Sequence, residues 1–136
     1  MDIEVTDTPQ AEVLAALGAE LTAFNAQDVG PSGRQAVAVF MREGETLLAG
    51  LNGYTAWGWL YVQWLWVAQS ARGQGCAATL LERAEAEAKA RGCHGAYIDT
   101  FNPVALKVYE RQGYTVFGAL PEFPQGRTRS FLQKAL

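Results

Sequence analysis

The sequence predicts an α/β fold of the α+β type: a mixed central β-sheet of six to seven strands, flanked by helices on both faces. Three observations predict it. Apolar runs rich in β-branched and aromatic residues recur along the chain, as strands require. Between them lie segments whose apolar residues repeat at helical spacing. The succession strand, helix, strand from Trp59 to Phe101 calls for a parallel pair joined by a right-handed crossover. With 136 residues, 49% hydrophobic and 18% charged, the chain can bury one core. Residues 1–136 are therefore read as a single domain.

In order, Ile3 to Val5 is a short strand candidate. Thr8-Pro9 reads as a helix start, a hydroxyl cap with proline in the first turn. Leu14, Leu17, Leu21 and Phe24 then mark one helical stripe, and Gly30-Pro31-Ser32-Gly33 ends it as a loop. Ala36 to Met41 and Thr46 to Leu51 are strands about a turn at Arg42 to Glu45. Asn52-Gly53 fits a hairpin turn or a bulge. Trp57 to Val67 reads as a central strand, broken near Gly58. Cys76 to Arg91 is helical, with Ala77, Leu81, Ala84 and Ala88 on one face and the pairs Arg83-Glu87, Glu85-Lys89 and Glu87-Arg91 on the other. Gly92 suits the position past its end. Gly95 to Phe101 is a strand. Asn102-Pro103 caps a second helix that Gly113 ends. Tyr114 to Phe117 and Thr128 to Leu132 are the last strands, around a loop from Leu120 to Gly126.

Several function classes are disfavoured at once. No stretch approaches the ~20 apolar residues of a membrane span, and the N-terminus lacks the charged and apolar regions of a signal peptide, so the expected compartment is the cytoplasm. Net charge is -3 and the pI near 5.1, with no basic face of the kind a nucleic-acid partner needs. Cys76, Cys93 and His94 form no four-ligand set, so no metal is expected.

The segment with chemical content is Arg72-Gly73-Gln74-Gly75-Cys76-Ala77, between a strand and a helix. Unpartnered amides at a helix start sit at the positive end of its dipole and favour phosphate. The glycines let an anion approach the backbone, and Arg72 adds fixed positive charge. No Gly-Lys-Ser/Thr follows, and Ala78 breaks a Gly-x-Gly-x-x-Gly frame. By itself such a turn is equally a plain tight connection.

The spacing Arg72-x-x-Gly75-x-Ala77, after a strand ending Leu65-Trp66-Val67, resembles the Arg/Gln-x-x-Gly-x-Gly/Ala signature of the GNAT superfamily of N-acetyltransferases. A second block, Asn102-Pro103-x-Ala105-x-x-x-Tyr109-x-x-x-Gly113-Tyr114, is similar to that family's Asn-x-x-Ala-x-x-x-Tyr-x-x-x-Gly-Phe/Tyr pattern. The resemblance covers roughly Trp57 to Phe117. It implies a single GNAT-like domain that moves an acetyl group from acetyl-CoA, the cosubstrate, to a primary amine by direct attack in a ternary complex. It also implies roles. The backbone from Leu65 through Trp66 to Val67 borders the pantetheine arm and supplies an amide for the thioester oxygen. The amides of Arg72, Gly73, Gln74, Gly75, Cys76 and Ala77 hold the pyrophosphate. Asn102 contacts the pantetheine arm. Tyr109 lies by the sulfur and protonates the leaving thiolate, which a phenol does well because it keeps its proton at neutral pH.

One departure stands out. The strand Trp59 to Val67 carries no carboxylate where the family commonly places a general base. Asp99 and Glu122 are the side-chain candidates, with ordered water as the third. Tyr61, Gln63 and Phe101 are the candidate acceptor contacts. Trp57, Trp59, Tyr61, Trp64 and Trp66 are read as sheet core or a dimer face in preference to a cation–π cage. Cys76 is expected to pack inward. The expected partners are a small-molecule or peptide amine, with a homodimer as a family-level expectation. Two rivals remain: a GNAT fold that binds CoA without turnover, and a toxin acting on aminoacyl-tRNA, which the acidic balance disfavours.

Overall fold

The computed structural model describes all residues, 1–136. The chain divides into two compact units, Met1–Ser32 and Gly33–Leu136. The first unit is built around helix α1 (Ala11–Val29). Residues 3–5 form no strand, since three residues with no neighbouring strand have nowhere to send their backbone hydrogen bonds. Thr8 is not the cap either. Its N–H is taken by the Thr6 hydroxyl, and the helix starts two residues past Pro9 from an extended Gln10. Leu14, Leu17, Leu21 and Phe24 share one side of α1 and are exposed.

The second unit is a six-stranded mixed sheet in the order β1-β2-β3-β4-β6-β5. Its elements are β1 (Gln35–Glu43), β2 (Thr46–Ala56), β3 (Trp59–Val67), α2 (Cys76–Ala90), β4 (Gly95–Thr100), α3 (Pro103–Arg111), β5 (Thr115–Pro121) and β6 (Thr128–Ala135). Only β3 and β4 run parallel, joined through α2 as the crossover rule requires. The hairpin between β2 and β3 turns at Trp57-Gly58, both with positive φ, as a two-residue primed turn demands. So β2 runs on to Ala56, and Trp57 belongs to the turn rather than to a strand.

Asn52-Gly53 faces a bulge. Asn52 pairs with Trp64 and Gly53 with Val62, leaving Gln63 as the extra residue of β3. A Cβ on Gly53 would run into the carbonyl oxygen of Tyr61, which is why only glycine fits. The bulge reverses the alternation of β3. Leu60 and Val62 point to the core before it, and Leu65 and Val67 pack against that core after it. Trp64 and Trp66 are thereby turned outward.

One core underlies the unit. Leu60, Val62, Ala96, Ile98 and Leu132 from the strands meet Leu80, Leu81, Ala84 and Ala88 of α2 and Tyr109 of α3. The sequence pairing Glu85-Lys89 is not formed. Glu85 is buried and accepts instead from Lys134 Nζ at 2.7 Å and from the Tyr114 hydroxyl at 2.8 Å, tying α2 to β6. Arg91 does pair with Glu87, at 3.1 Å, and also clamps the carbonyls of Gln35 and Ala36.

Candidate active site

The parallel pairing of β3 and β4 runs from Trp59 with Gly95 to Val62 with Ile98 and stops there. Both strands continue, β3 to Val67 and β4 to Thr100, so the sheet opens at their carboxyl ends. A crevice outside the carboxyl ends of diverging strands is where α/β sheets bind ligands. Each strand leads to a helix start at this opening, α2 after β3 and α3 after β4.

The start of α2 is bare. Gly75 is its N-cap and gives no side-chain cap, and no acidic residue lies in the first turn. Gly73 and Gly75 both have φ +76°, a left-handed conformation that side chains resist, and a Cβ on either would meet no atom within 4 Å. The first amides of α2 therefore face open space with the helix dipole behind them. Arg72 donates from Nε to the Val67 carbonyl at 3.2 Å, which fixes the guanidinium beside the strand exit. Cys76 turns inward as expected, its Sγ toward the Ala71 carbonyl at 3.5 Å. These residues fit a diphosphate: amides, one guanidinium, no carboxylate and no side chain across the approach.

The start of α3 is capped. Asn102 Oδ1 accepts from the N–H groups of Val104, at 2.8 Å, and Ala105, at 3.1 Å. Asn102 also lines a cavity of about 360 Å³ with Thr100, Leu106, Arg127 and Ser130. Two turns into the helix, Tyr109 is 5% exposed. Burial first, and then the Asp99 charge, push its phenol up to about 12.

Asp99 is the carboxylate at the opening. Tyr61, in the last paired stretch of β3, donates its hydroxyl to Asp99 Oδ1 at 2.9 Å, and Arg129 Nη1 donates to Oδ2 at 2.9 Å. Burial and then this hydrogen bond raise the Tyr61 phenol to about 12, so it stays a donor. Tyr61 stacks on Tyr97 with centroids 4.6 Å apart. Glu122, the other base candidate, is exposed and its carboxylate accepts the N–H of Gly126 at 3.0 Å, closing its own loop. Gln63 is the exposed bulge residue, and Phe101 lies under Arg129. Trp64 and Trp66 are 66% and 50% exposed on the outer face and Trp57 is 48% exposed in the turn before β3, so the reading of these rings as sheet core is corrected for all three. Sequence reasoning missed Arg129. It sits in an ordinary alternating strand, and only the pairing of β4 with β6 brings it to Asp99.

The acetyltransferase (GNAT) family pattern matches residues 7–114. The chain belongs to the GNAT acetyltransferase family. Among GNAT relatives, it is 43% identical over 135 residues to acetyltransferase Atu2258 of Agrobacterium fabrum strain C58, covering 98% of each chain. It is 41% identical over 91 residues to the blasticidin-S acetyltransferase of Streptomyces morookaense, covering 66% of this chain and 67% of that protein. The crystal structure of a candidate acetyltransferase from Agrobacterium tumefaciens superposes with a TM-score of 0.94 at 42% identity over 100% of both chains. A Bacillus cereus acetyltransferase structure superposes at 0.85 over 98% of each chain, at 23% identity, a likeness of fold. Within this GNAT chain, both blocks quoted from the sequence fall at the open end of the β3–β4 pair.

Proposed function

We propose that this acetyltransferase moves the acetyl group of acetyl-CoA to a primary amine by direct attack in a ternary complex. The observation that supports it most is the opened β3–β4 pair, with a bare helix start leaving one strand and Asp99 and Tyr109 associated with the other.

Acetyl-CoA, when bound, supplies an acetyl group activated as a thioester. The amides from Arg72 to Ala77 hold the diphosphate, with Arg72 adding charge. The edge of β3 from Leu65 to Val67, past its last pairing with β4, presents backbone groups to the pantetheine arm and a donor for the thioester oxygen. Asn102 contributes its free amide nitrogen to the same arm. Tyr109 gives its proton to the departing sulfur. Its raised affinity for that proton keeps it protonated through the neutral range.

Asp99 is the acceptor-side carboxylate. Each of its oxygens accepts one bond from the chain and keeps a second lone pair, enough to orient an incoming ammonium group and take its proton. Tyr61, Gln63 and Phe101 border its approach. The opposing reading, CoA binding without turnover, draws on the same geometry: both oxygens of the carboxylate are already engaged, by an arginine and a tyrosine.

The test is free-thiol release from acetyl-CoA with a panel of amines, blasticidin S among them because of the Streptomyces relative. Turnover above the hydrolysis blank, lost in Tyr109→Phe, is the expected result. Tight CoA binding with no turnover across the panel overturns the enzymatic reading in favour of a binding module.

A further inference from the structure

We propose that Arg129 is a positioning residue: it fixes the Asp99 carboxylate against Tyr61 and ties that carboxylate to the loop between β5 and β6. The inference rests on the reading of Asp99 as the acceptor-side carboxylate.

Three contacts meet at this one side chain. Nη1 donates to Asp99 Oδ2 at 2.9 Å. The guanidinium carbon lies 5.0 Å from the Phe101 ring centroid, just past the end of β4, and 4.1 Å from that of Phe123, in the loop. The flat cation is thus held between a ring of the strand end and a ring of the loop, as cation–π geometry favours. The side chains of Arg129 and Asp99 are 23% and 13% exposed, so water competes weakly for either.

The loop has a set shape of its own. Phe123 N–H donates to the Arg127 carbonyl at 3.1 Å and Arg127 N–H to the Pro124 carbonyl at 2.9 Å. Arg127 Nη1 reaches the Phe101 carbonyl at 3.2 Å, docking the loop on the same strand end. Where Phe123 sits therefore decides where the guanidinium sits, and the guanidinium decides which way Asp99 faces. Arg129 Nε is buried with no hydrogen-bond partner. Arginine does not give up its proton, so Asp99 keeps a counter-charge whatever the acceptor does. The carboxylate is then a fixed anion aimed at the gap, and Tyr109, which feels it, holds its own proton the more firmly.

A double-substitution cycle tests this: Arg129→Met, Asp99→Asn and the two together, with Arg129→Lys alongside. The rate is thiol release from acetyl-CoA with the fastest amine of the panel, or with water as acceptor where no amine turns over. If Arg129 acts through Asp99, each single change lowers kcat by about 30-fold and the double is no slower than the worse single, since residues acting as a unit are not additive. KM for acetyl-CoA stays within about twofold, its seat lying on α2. Arg129→Lys, which keeps a charged donor, restores kcat to within about fivefold of the parent. Multiplying effects in the double, parental kcat in Arg129→Met, or no recovery in Arg129→Lys overturns the inference. Asp99→Asn at full kcat instead removes the acceptor-side reading beneath it, a different result from Asp99→Asn slow and Arg129→Met normal. Should Arg129→Met not fold, Phe123→Ala on the exposed loop releases the same clamp. It is expected to lower kcat about fivefold by loosening a prepositioned group, and an unchanged kcat counts against the proposal.

Discussion

Exchanging Gly75 for asparagine and for aspartate separates the anion seat from the fold. Both residues tolerate φ +76° better than other side chains, and their shapes are nearly the same. A Cβ there meets no atom within 4 Å, so the shared cost to folding is the left-handed backbone alone, about 1–2 kcal/mol. The difference between them is one negative charge. Taking that charge at roughly 6 Å from two phosphate charges, Coulomb's law gives about 1.5 kcal/mol in a water-like medium and about 5 kcal/mol at an effective dielectric constant near 20. Aspartate should therefore bind CoA at least about tenfold more weakly than asparagine, and up to several thousandfold. The gap should narrow with added salt, because the seat is exposed. Isothermal titration with CoA at two ionic strengths measures it, and thermal melting shows that the two variants unfold alike. Equal affinity for CoA in the two variants would mean that the diphosphate does not lie over the start of α2, and the site would have to be moved.

Four further outcomes follow from the structure. Tyr109→Phe should lower kcat by about 10²-fold or more with KM for acetyl-CoA little changed, since a general acid acts only on the chemical step. Because the Tyr109 phenol is raised to about 12, the alkaline limb of the parent's kcat profile should show no fall from this group below about pH 10. The same shift bears on stability. A phenol raised on folding adds stability that is complete below its unfolded value near 10 and is lost as pH climbs through about 12. Chemical denaturation between pH 9 and 12 should thus be steeper for the parent than for Tyr109→Phe, and parallel curves refute the burial argument. Finally, Glu85→Ala leaves Lys134 and the Tyr114 hydroxyl without their acceptor and should cost about 3 kcal/mol, or roughly 10 °C of melting temperature. A shift of under about 2 °C would show the pair to be well solvated.

How much of this was legible in the sequence depended on whether the signal was local. The α2 start was legible because two glycines, an arginine and a helical run are contiguous, and the cap of α3 because Asn102-Pro103 names itself. Helix boundaries from Cys76 and Pro103 were found to within a residue or two. The bulge was read only as one alternative to a hairpin turn at Asn52-Gly53, and its effect on the phase of β3 was not drawn, although the trace was present. Leu60 and Val62 are even and Leu65 and Val67 odd, so an unbroken strand cannot turn all four to one side. Missing that phase change put Trp64 and Trp66 in the core. Residues 3–5 were given a strand because three apolar-flanked residues have the propensity, but a strand is a relation between two segments and propensity knows only one. Arg129 was invisible for the same reason, its partner being 30 residues earlier.

The bulge also bears on how the proposed acid, Tyr109, and the proposed base, Asp99, are kept apart. Ile98 and Asp99 are successive residues of β4, so they point to opposite faces of the sheet. Ile98 packs with Tyr109 in the core that α2 and α3 cover, and Asp99 stands on the other face with Tyr61 and Arg129. A proton donor for a leaving group and a proton acceptor for an entering amine would neutralise one another if they touched. Set on opposite faces and meeting at a gap in the sheet, they can act without exchanging the proton; burial first, and the Asp99 charge second, hold the Tyr109 phenol protonated. Closing the gap should then do more harm than removing either group. Deleting Gln63 removes the extra residue and lets β3 alternate evenly, with Leu60, Val62, Leu65 and Val67 still on the core side but without the bend that the bulge gives the strand. That variant is expected to keep the far-ultraviolet signature of the sheet and lose CoA binding, whereas Gln63→Ala, which keeps the residue count, should lose neither. A deletion variant that still bound CoA would show that the bulge does not set the gap.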